Sequence, residues 1–274
     1  MTRRPCFFDL ETGPDEQKLE KEGIEQIAFV DLGCLTTEKT VKSYLGETFK
    51  CLSDEQFQEL IDEEMAGKER AGVLAAINTA KGNKDKFFKQ FYVTPELNRI
   101  LSAAWAFGMD DPESAMVGAD NTEKELLEHL WDLILRANFL IGYNIHGFDI
   151  PTIVTRSAYL NVKPSRFIDL QAYSNPEIID LQAIRYGRHV NGSTKGLKTL
   201  THWFGLEEGL DETEGVDGSQ AYRLWSEDPD KLLLYNEHDV IRTQRLYNFW
   251  SGYYLQPVPM DGEAPVSGTT DTGY

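Results

Sequence analysis

The chain has 274 residues, 41% of them apolar, and a formal net charge of −18. That length allows one large domain or one domain with a sizeable insertion, and that apolar share is enough for a packed core. The longest apolar runs are far too short to cross a bilayer, and so acidic a surface argues against long-range steering of nucleic acid.

Strand 1 is expected over about Arg4 to Glu11, where Cys6-Phe7-Phe8 leads into Asp9-Leu10-Glu11. Residues 15–95 change in character: they are charged and Gln-rich, with Phe57, Leu60, Ile61 and Met65 at helical spacing after Ser53-Asp54-Glu55-Gln56. We read them as a mostly helical insertion that covers one side of a cleft, within a single domain over 1–256. A second strand is expected at Arg99–Phe107 and a third near Ala115–Val117. Thr122-Glu123-Lys124-Glu125 is a capping-box signature and opens an amphipathic helix with Leu126, Leu127, Leu130, Ile134 and Leu135 on its apolar stripe. Phe139-Leu140-Ile141-Gly142 reads as a buried strand, and Pro151 suits the first turn of a helix running to about Tyr159. Gly196–Phe204 is a short helix, and Asp228-Pro229 starts a long one that reaches about Trp250. Residues 257–274 are Pro, Gly, Ser, Thr and acid, which makes a flexible tail. Strands alternating with helices give an α/β fold class.

Four carboxylates in three segments stand out: Asp9 and Glu11, Asp149, and Asp239. Strand side chains alternate faces, so Asp9 and Glu11 point the same way. Tyr235 and Asp239 are four apart and share a helix face. Carboxylates that converge in one cleft cannot all stay ionised without cations, and hard oxygen ligands select Mg²⁺ or Mn²⁺. Two such ions suit in-line attack on a phosphodiester. Each segment also has a plainer reading. Asp9 and Glu11 could end an edge strand, Asp149 could cap a helix beside Pro151, and Tyr235 with Asp239 could be a surface pair.

The motifs resemble those of the DEDD superfamily of 3′–5′ exonucleases, which is named for four acidic residues. Phe8-Asp9-Leu10-Glu11-Thr12-Gly13 resembles the first motif, Asn144-Ile145-His146-Gly147-Phe148-Asp149 the second, and Tyr235-x-x-x-Asp239 the third in its tyrosine subgroup. The histidine subgroup would need His at position 234, which is Leu234, so His238 is not a catalytic histidine. The tract from Gly142 to Arg156, with Ile179-Asp180-Leu181 and the Gly196–Leu206 segment, is similar to exonucleases related to the exonuclease domain of family-B DNA polymerases. The resemblance covers 4–13 and about 97–250. It implies a ribonuclease H-like mixed five-stranded sheet flanked by helices.

The resemblance further implies metal-dependent 3′–5′ hydrolysis of single-stranded DNA to nucleoside 5′-monophosphates, with exoribonuclease activity as the alternative and a non-catalytic nucleic-acid-binding module as a remoter one. Asp9, Glu11, Asp149 and Asp239 would hold two divalent ions, and Tyr235, a better positioner than base at an ordinary pKa near 10, would orient the attacking water. Thr12 and Gly13 would let the backbone approach the terminal nucleotide. Asn144 is assigned to substrate or to support of the site. Arg185-Tyr186-Gly187-Arg188-His189 with Lys195 and Lys198 is the best basic stretch, either a grip on the phosphate backbone or a solvated loop. The expected partner is a single-stranded 3′ end, DNA favoured over RNA, with a replication or repair protein as a further candidate and no membrane. Cys6, Cys34 and Cys51 are an odd set without metal-ligand spacing and the N-terminus lacks an apolar signal stretch, so the expected location is cytoplasmic.

Overall fold

Apolar residues alternate along the first strand, β1 (Arg4–Pro14), and divide between two cores: Cys6, Phe8 and Leu10 enter one, Phe7 the other. A strand buried on both faces must be central, and in the computed structural model β1 is the middle strand of five. The model describes residues 4–15, 92–118, 121–169, 177–186, 194–213, 215–255, 258 and 260. The chain divides into two units, Met1–Gly13 with Asn98–Tyr274 and Pro14–Leu97. The expected helical insertion over 15–95 falls almost wholly in the second and, apart from Asp15 and 92–95, lies outside the described residues.

The remaining strands are β2 (Asn98–Phe107), β3 (Glu113–Met116), β4 (Ala137–Gly142) and β5 (Ile178–Asp180). Their order in the sheet is β3-β2-β1-β4-β5. β2 and β3 form an antiparallel pair, and β1–β4 and β4–β5 are parallel, which makes the sheet mixed as expected.

Helices α1 (Glu123–Arg136) and α2 (Asp149–Leu160) pack on one face. The capping box is complete: Thr122 Oγ1 accepts from the Glu125 amide while the Glu125 carboxylate accepts from the Thr122 amide at 2.8 Å. Two short helices, α3 (Leu181–Tyr186) and α4 (Leu197–Trp203), precede α5 (Ala221–Glu227) and the 22-residue α6 (Pro229–Trp250). α4 and α6 cover the opposite face, burying Leu200, Val240, Leu246, Tyr247 and Trp250 against Phe7 and Ile141. The Asp228 carboxylate caps α6 at the Lys231 amide, with Pro229 in the first turn. α3 and α5 are additions to the elements expected from sequence. The tail is held at its start: Val258 donates its amide to the Tyr247 hydroxyl at 2.8 Å, and the Met260 carbonyl accepts from Arg4 Nε at 3.2 Å. Among the described residues no helix is long and apolar enough to cross a membrane.

One buried ion pair joins the α1/α2 layer to the sheet. Glu123 takes Arg156 in a fork, Nε at 2.8 Å and a terminal nitrogen at 2.7 Å, and accepts the Ile100 amide of β2 at 2.9 Å. Both side chains are nearly closed to solvent. Glu123→Ala strands a buried guanidinium and a strand amide together, and should cost about 3–5 kcal/mol in urea unfolding, far above a surface truncation.

Candidate active site

β4 ends at Gly142, one residue after Ile141 pairs with Phe7, so β1 runs on without a partner on its β4 side and with β2 on the other. Asp9 and Glu11 lie on this extension, on the face that Phe7 presents to α6. On α6, Tyr235, Asp239 and Arg242 recur at spacings of four and three and are buried. The two elements meet here: one carboxylate oxygen each from Asp9, Glu11 and Asp239 all lie within 4.8 Å of one another.

Asp149 reaches the same strand from the opposite layer. It is the first residue of α2, and its Oδ1 accepts the Leu10 amide at 3.1 Å, on the edge of β1 that β4 has vacated. It is therefore not a helix cap; Phe148 stands at the cap position and makes no side-chain bond. Asp149 lies outside the three-carboxylate cluster, although its charge bears on Asp9 and Glu11.

Neighbouring side chains fix the ligand set. Asn236 Nδ2 donates to Asp9 Oδ2 at 2.8 Å, and Ser102 Oγ donates to Asn236 Oδ1 at 3.0 Å, which sets the amide's orientation. Arg242 donates to Asp239 Oδ1 at 2.8 Å and to Glu207 Oε2 at 2.9 Å. Tyr235 donates its hydroxyl to Asp239. The Lys198 ammonium lies 4.0 Å from the centroid of the Tyr235 ring and bonds the Val216 carbonyl.

Burial is the main cause that raises all four carboxylates. Asp9 is held well above the carboxylate range by burial, then by the charges of Asp149, Asp239 and Glu11, against the Asn236 bond. Glu11 is raised likewise by burial and then Asp239, with Lys198 opposing. Asp239 is raised by burial, against Lys198 and Arg242. Asp149 is pushed up to about 8 by burial, against the bonds it accepts from its own amide and from that of Leu10. A concentrated set of hard oxygen donors with too little positive charge of its own fits divalent cations. Tyr235 is driven far above the ordinary phenol value by burial, and then by Glu11 and Asp239, so it stays protonated. The ordinary value near 10 expected for it from sequence is thus too low, and its role as donor rather than base is reinforced. The His238 pKa is lowered by burial and then by the Arg242 charge, and its Nδ1 lies 2.9 Å from Thr213 Oγ1.

The other expected residues behave differently. Thr12 is buried. A Cβ on Gly13 would stand 2.8 Å from Leu101 Cδ1 and Tyr222 Cδ2, so this glycine is required by packing inside the domain. Asn144 adopts a left-handed φ of 64°, and its amide donates to Asp180 Oδ1 at 3.0 Å. Its own Oδ1 would be 2.4 Å from a Cβ at Gly147, so it shapes the loop that leads into α2. Arg185 is exposed and stacks over Tyr186 and Tyr254; Lys195 is exposed with its ammonium over Trp203. Arg188 lies outside the described residues. Three residues gain a role that sequence did not assign, Asn236, Arg242 and Asp180, while Lys198, read from sequence as part of the basic stretch, stands over the Tyr235 ring. The Asp180 carboxylate collects the amides of Asn144, His146, Gln182 and Ala183 at 3.0–3.2 Å.

A model of the RNase_H superfamily matches residues 93–251, more than half of the chain, and the chain belongs to that superfamily. Nucleases with this fold typically use divalent metals, and the cluster of Asp9, Glu11 and Asp239 fits that habit. Among solved structures, the chain is similar to the family B DNA polymerase from the hyperthermophilic archaeon Pyrobaculum calidifontis, at 19% identity and a TM-score of 0.48. That likeness covers 57% of this chain and 22% of the polymerase chain, so this chain spans less than a quarter of the polymerase's length. No curated protein matches the chain.

The raised carboxylates predict a pH signature in the metal-free protein. The folded state binds more protons than the unfolded one, so this stabilisation is complete near the ordinary value of 3.8 and is lost as pH rises towards the folded value, about 8 for Asp149. In EDTA, Asp149→Asn should therefore gain stability relative to wild type as pH rises through that window, measured by urea midpoints. Saturating Mn²⁺ should remove the wild-type loss. A difference that moves in the variant's disfavour with rising pH would contradict the assignment.

Proposed function

We propose that this chain is a metal-dependent 3′–5′ exonuclease that releases nucleoside 5′-monophosphates from single-stranded DNA. The observation that carries the proposal is the meeting of Asp9, Glu11 and Asp239 within 4.8 Å, beside a protonated Tyr235 bonded to Asp239. Membership of the RNase_H superfamily supports a nuclease in general.

Asp9, Glu11, Asp239 and Asp149 would hold two divalent ions, Mg²⁺ or Mn²⁺, which would supply a water of lowered pKa and neutralise charge on the leaving 3′ oxygen. The protein's own groups do the rest. Asn236 fixes the rotamer of Asp9, and Arg242 holds Oδ1 of Asp239. Tyr235 keeps its proton near neutral pH, so it can turn its O–H from Asp239 to the nucleophile's oxygen but cannot act as its base. Lys198 packs against the tyrosine ring. The ammonium also places a positive charge near Glu11 and Asp239, where a phosphate would arrive.

The test is a gel assay with 5′-labelled single-stranded DNA and matching RNA, in Mg²⁺ or Mn²⁺. A ladder shortening stepwise from the 3′ end and lost in EDTA is the expected result. Faster loss of RNA would make the chain an exoribonuclease, and no cleavage of either by folded protein would leave a binding role. Asp9→Ala should remove nearly all turnover, and Tyr235→Phe should cost on the order of 10²–10⁴-fold in kcat. Asn236→Ala should weaken metal affinity about 10–100-fold, seen as a higher Mn²⁺ concentration at half-maximal rate.

A further inference from the structure

A group of aromatic and cationic side chains in pairwise contact involves the end of α4, outside the carboxylate cluster. The Lys195 ammonium is 5.9 Å from the Trp203 ring centroid, and Trp203 is 62% exposed. Phe204, next in sequence, packs at 4.8 Å against Phe249 of α6 and at 6.3 Å edge-on to Trp250. Trp250 meets Tyr254 at 5.4 Å, and Arg185 lies over both Tyr254 and Tyr186, at 5.6 and 5.3 Å. The Tyr143 hydroxyl donates to the Lys195 carbonyl.

Only Trp250 among these rings is fully buried; it is the floor on which Phe204 and Tyr254 stand. Exposing Trp203, Phe249 and Tyr254 together has a hydrophobic cost without benefit to the fold. The cations beside them matter for the choice of occupant. In a chain of net charge −18, Arg185 and Lys195 are paired with ring faces here, and no described carboxylate forms a salt bridge with either. Flat apolar faces with interspersed positive charge complement unpaired bases on a phosphate chain. An acidic peptide would use the cations but leave the rings unmet.

We infer that this group of side chains is a stacking platform for unpaired bases of a single-stranded nucleic acid, distinct from the carboxylate site. It rests on the exonuclease reading for its role, which is to hold the strand upstream of the 3′ end while the cluster acts. Lys198, on the same short helix as Trp203, faces the Tyr235 ring, so α4 links the platform to the cluster.

The test pairs Trp203→Ala/Tyr254→Ala with the conservative Trp203→Phe/Tyr254→Phe. Both positions are exposed and neither supports the core. On an oligonucleotide of about 16 nucleotides the alanine pair should raise KM about 10-fold or more with kcat unchanged, while the phenylalanine pair keeps most of the affinity. Both variants should treat a dinucleotide as wild type does. Arg185→Glu with Lys195→Glu should flatten the salt dependence of binding by about 1–2 in slope. A binding arm needs no turnover: anisotropy of the fluorescein-labelled oligonucleotide with full-length protein in EDTA. If the protein cleaves nothing but the alanine pair binds about 10-fold more weakly, the platform stands and the exonuclease reading fails. If cleavage is normal and both KM and binding are unchanged in the alanine pair, the platform is refuted and the exonuclease reading survives.

Discussion

The site depends on like charges held where they repel. Glu11, Asp149 and Asp239 are almost closed to solvent, Asp9 is half-buried, and each raises the cost of ionising its neighbours. A fold that spent its stability freely would replace such a group with apolar side chains, because burying a charge without a partner is expensive. Here the backbone geometry enforces the encounter. β1 passes the end of β4 and so carries its carboxylates into a space that no neighbouring strand fills, between the N-terminus of α2 and the flank of α6. The unpaired strand amide at Leu10 is then satisfied by Asp149, so the same vacancy that opens the cleft recruits its fourth acid.

The compensation is partial, and its placement is informative. Arg242 is shared between Asp239 and Glu207, and Lys198 is drawn down by its own burial while Asp239 and Glu11 pull its proton affinity up. Two cations against four acids leave a deficit. Were the cluster only structural, a second arginine at Asp9 would be cheaper than Asn236, which positions the carboxylate through a neutral amide and removes none of its charge. Neutral positioning beside one acid and cationic positioning beside another keeps both arranged while leaving negative charge for something else to meet.

The parts legible in sequence were those with local periodicity. The alternation in Asp9-Leu10-Glu11 and the four-residue step from Tyr235 to Asp239 each give a facing direction, and both directions are observed. The Thr122 capping box and the Asp228-Pro229 start were legible because a cap is chemistry within three or four residues. α3 and α5 are too short for a period to show, at six and seven residues. Asn236 looks like any surface asparagine until Ser102 and Asp9 meet it from 134 and 227 residues away in the chain. Asp149 was legible as an acid of the site, but its bond to Leu10 was not, since the end of β4 cannot be located to one residue from sequence.

Charge distribution resolves the tension between an acidic chain and a polyanionic substrate. The total of −18 says little about the local field, because exposed charges farther apart than about 8–10 Å are screened at physiological salt. On the proposed reading, what a strand end would meet is the near field: Lys198 beside the cluster, and Arg185 and Lys195 against aromatic rings. Affinity built this way would draw less on counterion release than a basic groove does and more on base stacking, which is short-ranged and indifferent to the protein's net charge. An acidic surface elsewhere would then disfavour long duplexes, whose second strand would be carried across it, and tolerate a single strand held only at the rings and the cluster.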